Sequence, residues 1–104
     1  MVDYRSNDKR VELVMDQVYM ALPEDAFSSQ EGKPHVSLDV TTDQWDVSIR
    51  VKRPYTYVLV TREGVSACAF GKVNWSDKFS LETGFAIVAR KAIAAYYREG
   101  EENV

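Results

Sequence analysis

The C-terminal third of the chain holds the feature that most constrains its fold, a long apolar stretch of helical character. Between Phe85 and Tyr97 only Arg90 and Lys91 are not apolar. The apolar arc is therefore wider than a helix needs when it lies on one sheet face. Two explanations stay open. The simpler one is that another helix covers the surplus. The other is that Tyr96, Tyr97 and the neighbouring alanines form an exposed patch for a second copy or another protein.

A first helix is predicted near the N-terminus, over about Asp8 to Ala21. Either Ser6 or Asp8 can cap it, and Pro23 ends it because proline cannot continue the hydrogen-bond ladder. Its apolar residues recur at the spacing of one helical face. They are Val11, Val14, Met15, Val18 and Leu22.

The middle of the chain changes to the two-residue alternation of β-strands. The predicted strands cover residues 36–40, 45–51, 55–61 and 65–73. In the second of these Trp45 belongs to the apolar, core-facing set. The third is apolar on both faces, which is typical of a central strand. Gly64 supplies the turn into the fourth strand, where Ala67, Cys68 and Ala69 leave space for a helix, and we expect Cys68 to be buried.

The second helix is predicted to start at Ser76 or Ser80 and to end near Arg98, where Gly100 is a natural stop. We expect residues 99–104 to form a frayed tail. With 104 residues there is room for one domain, residues 1–104. The predicted fold is α+β, in the order α-β-β-β(-β)-α, with both helices packed on one face of an antiparallel sheet.

The residues that usually carry out catalysis are scarce. His35 is the only histidine, at the start of a strand, and Cys68 is the only cysteine. One of each cannot build a zinc site of the usual composition within one chain. The sequence also lacks the glycine-rich patterns that cradle phosphates. We therefore expect no enzyme, no metal and no cofactor. Without a disulfide framework, a signal sequence or a membrane span, we expect a cytoplasmic protein.

Two sets of residues are candidates for binding. Basic residues interleaved with aromatic ones can grip phosphates and stack bases. The candidate nucleic-acid residues are Arg50, Lys52, Arg53 and Arg62, close in sequence to Trp45, Tyr55 and Tyr57. A net charge of −3 and an isoelectric point near 5.1 disfavour a phosphate-binding role. The candidate protein-binding residues are Tyr96, Tyr97 and Phe27. Phe27 lies in a polar loop and is either a pin to the core, which we favour, or an exposed contact.

The order of elements resembles the double-stranded-RNA-binding-domain fold. That family contacts RNA through a lysine-rich start of its second helix, and the corresponding stretch here, residues 76–83, contains Lys78 beside Asp77 and Glu82. The last forty residues are similar to small bacteriophage and actinobacterial accessory proteins. The residues that carry this resemblance are Ala67, Asp77, Phe79, Gly84, Ala86, Ala89, Arg90 and Ala92. Lys91, between Arg90 and Ala92, departs from the pattern.

Two functions follow as expectations. The first is a non-enzymatic, phage-type accessory protein that binds another protein, such as a host or defence factor in the host cytoplasm, and that can also form a homodimer. The acidic N-terminal third and the wide apolar helix favour it. The second is a nucleic-acid-binding module that uses the basic strand face.

Overall fold

The computed structural model of the protein describes residues 7–72 and 81–102, and for residues 100–102 it describes the backbone alone. The described elements are helix α1 (Lys9–Ala21), a short 3₁₀ helix (Ser28–Gln30), strands β1 (His35–Thr41), β2 (Asp46–Lys52), β3 (Tyr55–Arg62) and β4 (Val65–Lys72), and helix α2 (Leu81–Glu102). The strands form one antiparallel sheet in the order β1-β2-β3-β4. The predicted α+β class and element order are confirmed.

Helix α1 begins as the sequence predicts. Asp8 is its N-cap, and the carboxylate of Asp8 accepts the backbone N–H of Arg10 at 2.9 Å, which satisfies one of the amides left free at a helix start. The helix ends at Ala21, two residues before Pro23. Its buried residues, Val11, Val14, Met15 and Val18, follow the predicted apolar face.

The core lies between the two helices and one face of the sheet. Valine and isoleucine side chains from the first three strands point into it: Val36, Val40, Val47, Ile49, Val51, Val58 and Val60. Helix α2 packs against β3 and β4, and α1 packs against α2 and β1. Helix α1 therefore covers part of the apolar surface of α2, in agreement with the simpler of the two explanations.

Small residues let α2 approach β4 closely. Ala67 is buried and Ala69 packs against the core. A Cβ atom on Gly71 would lie 3.1 Å from Cγ2 of Val88, so any larger residue here would require Val88 to shift by a few tenths of an ångström. Cys68 points to the opposite face of the sheet and is exposed. The expectation that Cys68 is buried is therefore wrong, because the strand alternates and Ala67 and Ala69 take the core-facing positions.

The C-terminal helix is longer than predicted. It continues through Gly100 to Glu102 instead of ending near Arg98. A glycine costs about 1 kcal/mol in a helix interior relative to alanine, and that cost alone does not end a helix. The proposed caps Ser76 and Ser80 lie outside the described residues, as do Asp77 and Phe79 of the accessory-protein pattern. Its members on α2 are described: Gly84, Ala86, Ala89 and Ala92 are buried, and Arg90 pairs with Glu12 of α1.

Candidate functional site: the open face of the sheet

The face of the sheet opposite the helices carries the strongest candidate site. We call the outward-pointing side chains of the four strands the open face. The strand register places them in four rows. From one end of the sheet to the other, the rows are His35–Lys52–Tyr55–Lys72, then Ser37–Arg50–Tyr57–Phe70, then Asp39–Ser48–Leu59–Cys68, and finally Thr41–Asp46–Thr61–Ser66. The first two rows contain both aromatic rings and cations.

Three aromatic rings of the open face remain in contact with solvent. Phe70 is 70% exposed, Tyr55 is 46% exposed and Tyr57 is 38% exposed. Tyr57 and Phe70 are direct cross-strand partners, which places their Cβ atoms about 5 Å apart. Tyr55 lies two residues along the same strand as Tyr57, or about 7 Å away. The three rings therefore lie near one another on the open face, and we call this region the aromatic surface.

Cations surround this aromatic surface at one end of the sheet. A groove of about 430 Å³ runs beside Tyr55 and Tyr57, and Arg50 and Lys52 line it together with His35. On the other side, Nζ of Lys72 lies 5.9 Å from the centre of the Tyr55 ring, within the range of a cation–π contact. The groove is therefore lined by the two kinds of side chain that bind a planar, anionic ligand.

The charge changes along the strands. Nη1 of Arg50 lies 3.0 Å from Oδ1 of Asp39 in the next row, and hydrogen bonds from Arg50 lower the pKa of the Asp39 carboxyl. Asp46 lies one row further on. A hydrogen bond with Cys68 raises the pKa of the Tyr57 phenol, so the ring is neutral near pH 7. Anionic ligands are therefore favoured at the end with Lys52 and disfavoured at the end with Asp46.

The predicted nucleic-acid residues do not all lie together. Arg50 and Lys52 are on the open face, and Arg53 is exposed in the turn beside them. Arg62 is at the far end of β3, on the helix side, with its guanidinium 5.4 Å from the centre of the Trp45 ring. Sequence reasoning therefore grouped one residue with the wrong face of the sheet.

The predicted protein-binding residues take part in packing. The Tyr96 ring lies 4.8 Å from Trp45, and its hydroxyl donates to the carbonyl oxygen of Arg62. The Tyr97 ring lies 6.1 Å from Trp45. The prediction that Trp45 belongs to the core is confirmed, since it is 1% exposed. Phe27 packs on Phe85 with ring centres 5.1 Å apart, which confirms the pin to the core.

Phe70 and Lys72 were missing from the sequence prediction. The length of the turn could have predicted their positions, because it fixes the register of β3 and β4. Glu63 and Gly64 both have positive φ and form a two-residue hairpin loop that pairs Arg62 with Val65. Counting from that pair puts Phe70 opposite Tyr57. His35 is exposed on edge strand β1, in agreement with its predicted surface position.

Among the side chains that the structure describes, those of residues 7–72 and 81–99, there is no group of three or more His, Cys, Asp or Glu placed to hold a metal ion. None of the helices in these ranges combines the length and apolar content that a bilayer-spanning helix needs. No protein-family model, curated protein or solved structure matches this chain.

Proposed function

We propose that the protein is a non-enzymatic module that binds single-stranded nucleic acid on its open face. The observation that carries this proposal is the exposure of Tyr55, Tyr57 and Phe70 on the uncovered side of a four-stranded sheet, with Lys52 and Lys72 beside them. Four-stranded sheets with exposed aromatic rings can stack unpaired bases.

The rings are suited to stacking because folding does not bury them. A base stacked on an aromatic side chain contributes about 1–3 kcal/mol to binding, whatever the sequence, because every base has a flat π-face. The backbone positions that carry the three rings are about 5–7 Å apart, so two or three neighbouring bases can be spread over the surface. A duplex keeps its bases stacked inside, so the same surface favours single strands.

The cations of the open face determine how strongly a single strand binds and how that binding depends on salt. Lys52, Lys72 and Arg50 can each neutralise one phosphate, although Arg50 shares its charge with Asp39. Three contacts to a single strand give a slope of about −2 for log K against log[salt]. With a net charge of −3 for the whole chain, we expect weak binding at physiological salt.

Protein binding is the second candidate function, and the phage-type accessory role remains a prediction. The half-buried Tyr96 and Tyr97 contact Trp45 inside the fold, so their rings give it little support. The open face supports it better, because Leu59 and Phe70 add apolar surface there. Exposed aromatic rings also occur at protein interfaces, and the acidic N-terminal segment would not hinder a basic partner.

Fluorescence anisotropy with labelled ten-nucleotide single strands of DNA and RNA tests the proposal, with a duplex of the same length for comparison. We expect Tyr57→Ala and Phe70→Ala each to weaken single-strand binding by about 5- to 100-fold. Tyr57→Phe keeps the ring and should bind nearly as well as the original protein. Lys52→Gln should reduce the salt slope by about 0.7, whereas Lys9→Gln on α1 removes the same charge far from the open face and should not.

The outcome separates the two candidate functions. Absence of any salt-dependent anisotropy change up to about 100 µM protein, the weak end of non-specific binding, would refute nucleic-acid binding. Equal affinity for the duplex, or equal binding by Tyr57→Ala and Phe70→Ala, would refute stacking on this face. Circular dichroism of each variant confirms that it is folded.

A further inference from the structure

Strand β4 is an outer strand of the sheet with one edge free of any described strand. It pairs with β3, and residues 7–72 contribute no strand to its other side. The two-residue loop after Arg62 makes Arg62 and Val65 a hydrogen-bonded pair. Alternation along β4 then directs the backbone N–H and C=O groups of Ser66, Cys68 and Phe70 away from β3. These groups can bind another strand.

This edge lacks the features that usually protect outer strands. Natural sheets guard their edges with charged residues, proline or bulges. On β1, the other outer strand, Pro34 precedes the strand and Asp39 lies in its middle, paired with Arg50. From Val65 to Gly71, β4 contains neither charge nor proline, and Lys72 at its end is its only charged residue.

We propose that β4 pairs with β4 of a second copy of this chain, in antiparallel orientation about a two-fold axis, so that the two sheets become one sheet of eight strands. An antiparallel pair is self-complementary under a two-fold axis, so one edge suffices for a closed dimer. Residues that face each other across the pair must also lie on the same face of the joined sheet.

The two-fold axis falls at Cys68. In this register Cys68 faces Cys68 of the second copy, and Phe70 faces Ser66. Lys72 faces Gly64, which is the neighbour of Glu63 in the two-residue loop, so each Lys72 lies near an acidic residue of the second copy. Both Lys72 and Glu63 are exposed in the single chain. Moving the axis two residues towards the end of the strand would separate these charges, which favours the register centred on Cys68.

The exposure of Phe70 supports the same arrangement. Its ring is the most exposed of the three on the open face, because an outer strand has no neighbour on one side. Pairing would place Ser66 of the second copy there. A single strand pair buries less than the roughly 1,200 Å² of a standard interface, so we expect a weak dimer with a dissociation constant on the order of micromolar.

Sedimentation velocity over a concentration series, without nucleic acid, tests the pairing independently of the proposed function. We expect the intact chain to shift from monomer to dimer. Cys68→Lys would bring two like charges together at the axis and should weaken the dimer by about fivefold or more. The matched control is Ser48→Lys, which adds the same charge to the same row on central strand β2 and should leave dimerisation nearly unchanged.

Cross-linking then tests the register. Cys68 is the only cysteine, so a short bismaleimide should couple two intact chains. The variant Cys68→Ser/Ser48→Cys moves the thiol away from the edge and should give only collisional products. A strictly monomeric chain, or a dimer that is unaffected by Cys68→Lys and is not cross-linked through Cys68, would overturn the proposal. Circular dichroism confirms that each variant is folded.

Discussion

The ion pair between Glu12 of α1 and Arg90 of α2 joins the two helices, and breaking it should lower the stability of the whole domain. Nε of Arg90 lies 2.9 Å from Oε2 of Glu12, and Nη2 lies 3.0 Å from Oε1. Nη1 also donates to the carbonyl oxygen of Ala86 at 2.9 Å. The side chains are 14% and 23% exposed. When one partner is removed, water therefore has little access to the remaining side chain and replaces few of its lost hydrogen bonds.

The magnitude follows from what each change leaves behind. A hydrogen bond to a charged group contributes about 1.5–3 kcal/mol, and the two bonds here belong to one bidentate pair. Removing one partner leaves the other charge largely buried, away from water and without this ion pair. Glu12→Leu or Arg90→Met should therefore each lower the free energy of unfolding by about 2–3 kcal/mol. The double variant removes both charges and should cost less than either single change, because apolar side chains can replace a buried pair at little net cost.

Urea denaturation, monitored by circular dichroism, measures these differences in the free energy of unfolding. Equal m-values among the variants would indicate that the unfolding reaction is unchanged. The four proteins form a double-mutant cycle, in which we expect a coupling energy of at least about 1.5 kcal/mol. Asp39→Asn breaks an exposed ion pair on the open face and should leave stability nearly unchanged. A coupling energy below about 0.5 kcal/mol, the range of independent sites, would refute the view that this pair holds α1 on α2.

Three further predictions concern packing and pH. Gly71→Ala should lower the free energy of unfolding by about 1 kcal/mol through overpacking, since the new Cβ would lie 3.1 Å from Val88. The same substitution should cost less when it is made in the Val88→Ala background, with that single variant as the reference in the same urea assay. Burial raises the pKa of Tyr19 above its ordinary value of 10.0, so melting temperatures should fall as pH rises through 10, less steeply in Tyr19→Phe. Hydrogen bonds from Arg10 lower the pKa of Asp8 below 3.8, so Asp8→Ala should lower the melting temperature near pH 7, and the difference should shrink as pH falls below 3.8.

Most of the fold could be predicted because each element has a strong local signal. Alternation of large apolar and polar residues defined β2, and Trp45 fell into the buried set as predicted. Proline and the apolar spacing gave the end and the inner face of α1. Such signals work when the two faces of an element differ clearly in polarity.

The errors arose where that contrast is missing. In β4, both alternating sets contain apolar residues, so polarity does not say whether Cys68 or Ala67 faces the core. Pairing with β3 decides it, because Val60 is buried and faces Ala67. Tyr55 and Tyr57 were predicted to belong to a strand that is apolar on both faces. The sequence alone does not show whether both faces of such a strand are buried or one of them is open to solvent. Whether a helix covers a face depends on tertiary packing.

The two faces of the sheet differ in how much apolar surface they bury on folding, and that difference supports a binding role for the open face. On the helix side, the Trp45 and Phe85 rings are at most 1% exposed and stabilise the fold through burial. On the open face, Phe70 retains 70% of its exposure and so contributes little apolar burial to stability. The variants proposed above separate the uses of this surface. Loss of oligonucleotide binding in Tyr57→Ala with the dimer intact assigns the aromatic rings to the ligand, whereas loss of the dimer in Cys68→Lys with single-strand binding intact assigns the edge to the second copy.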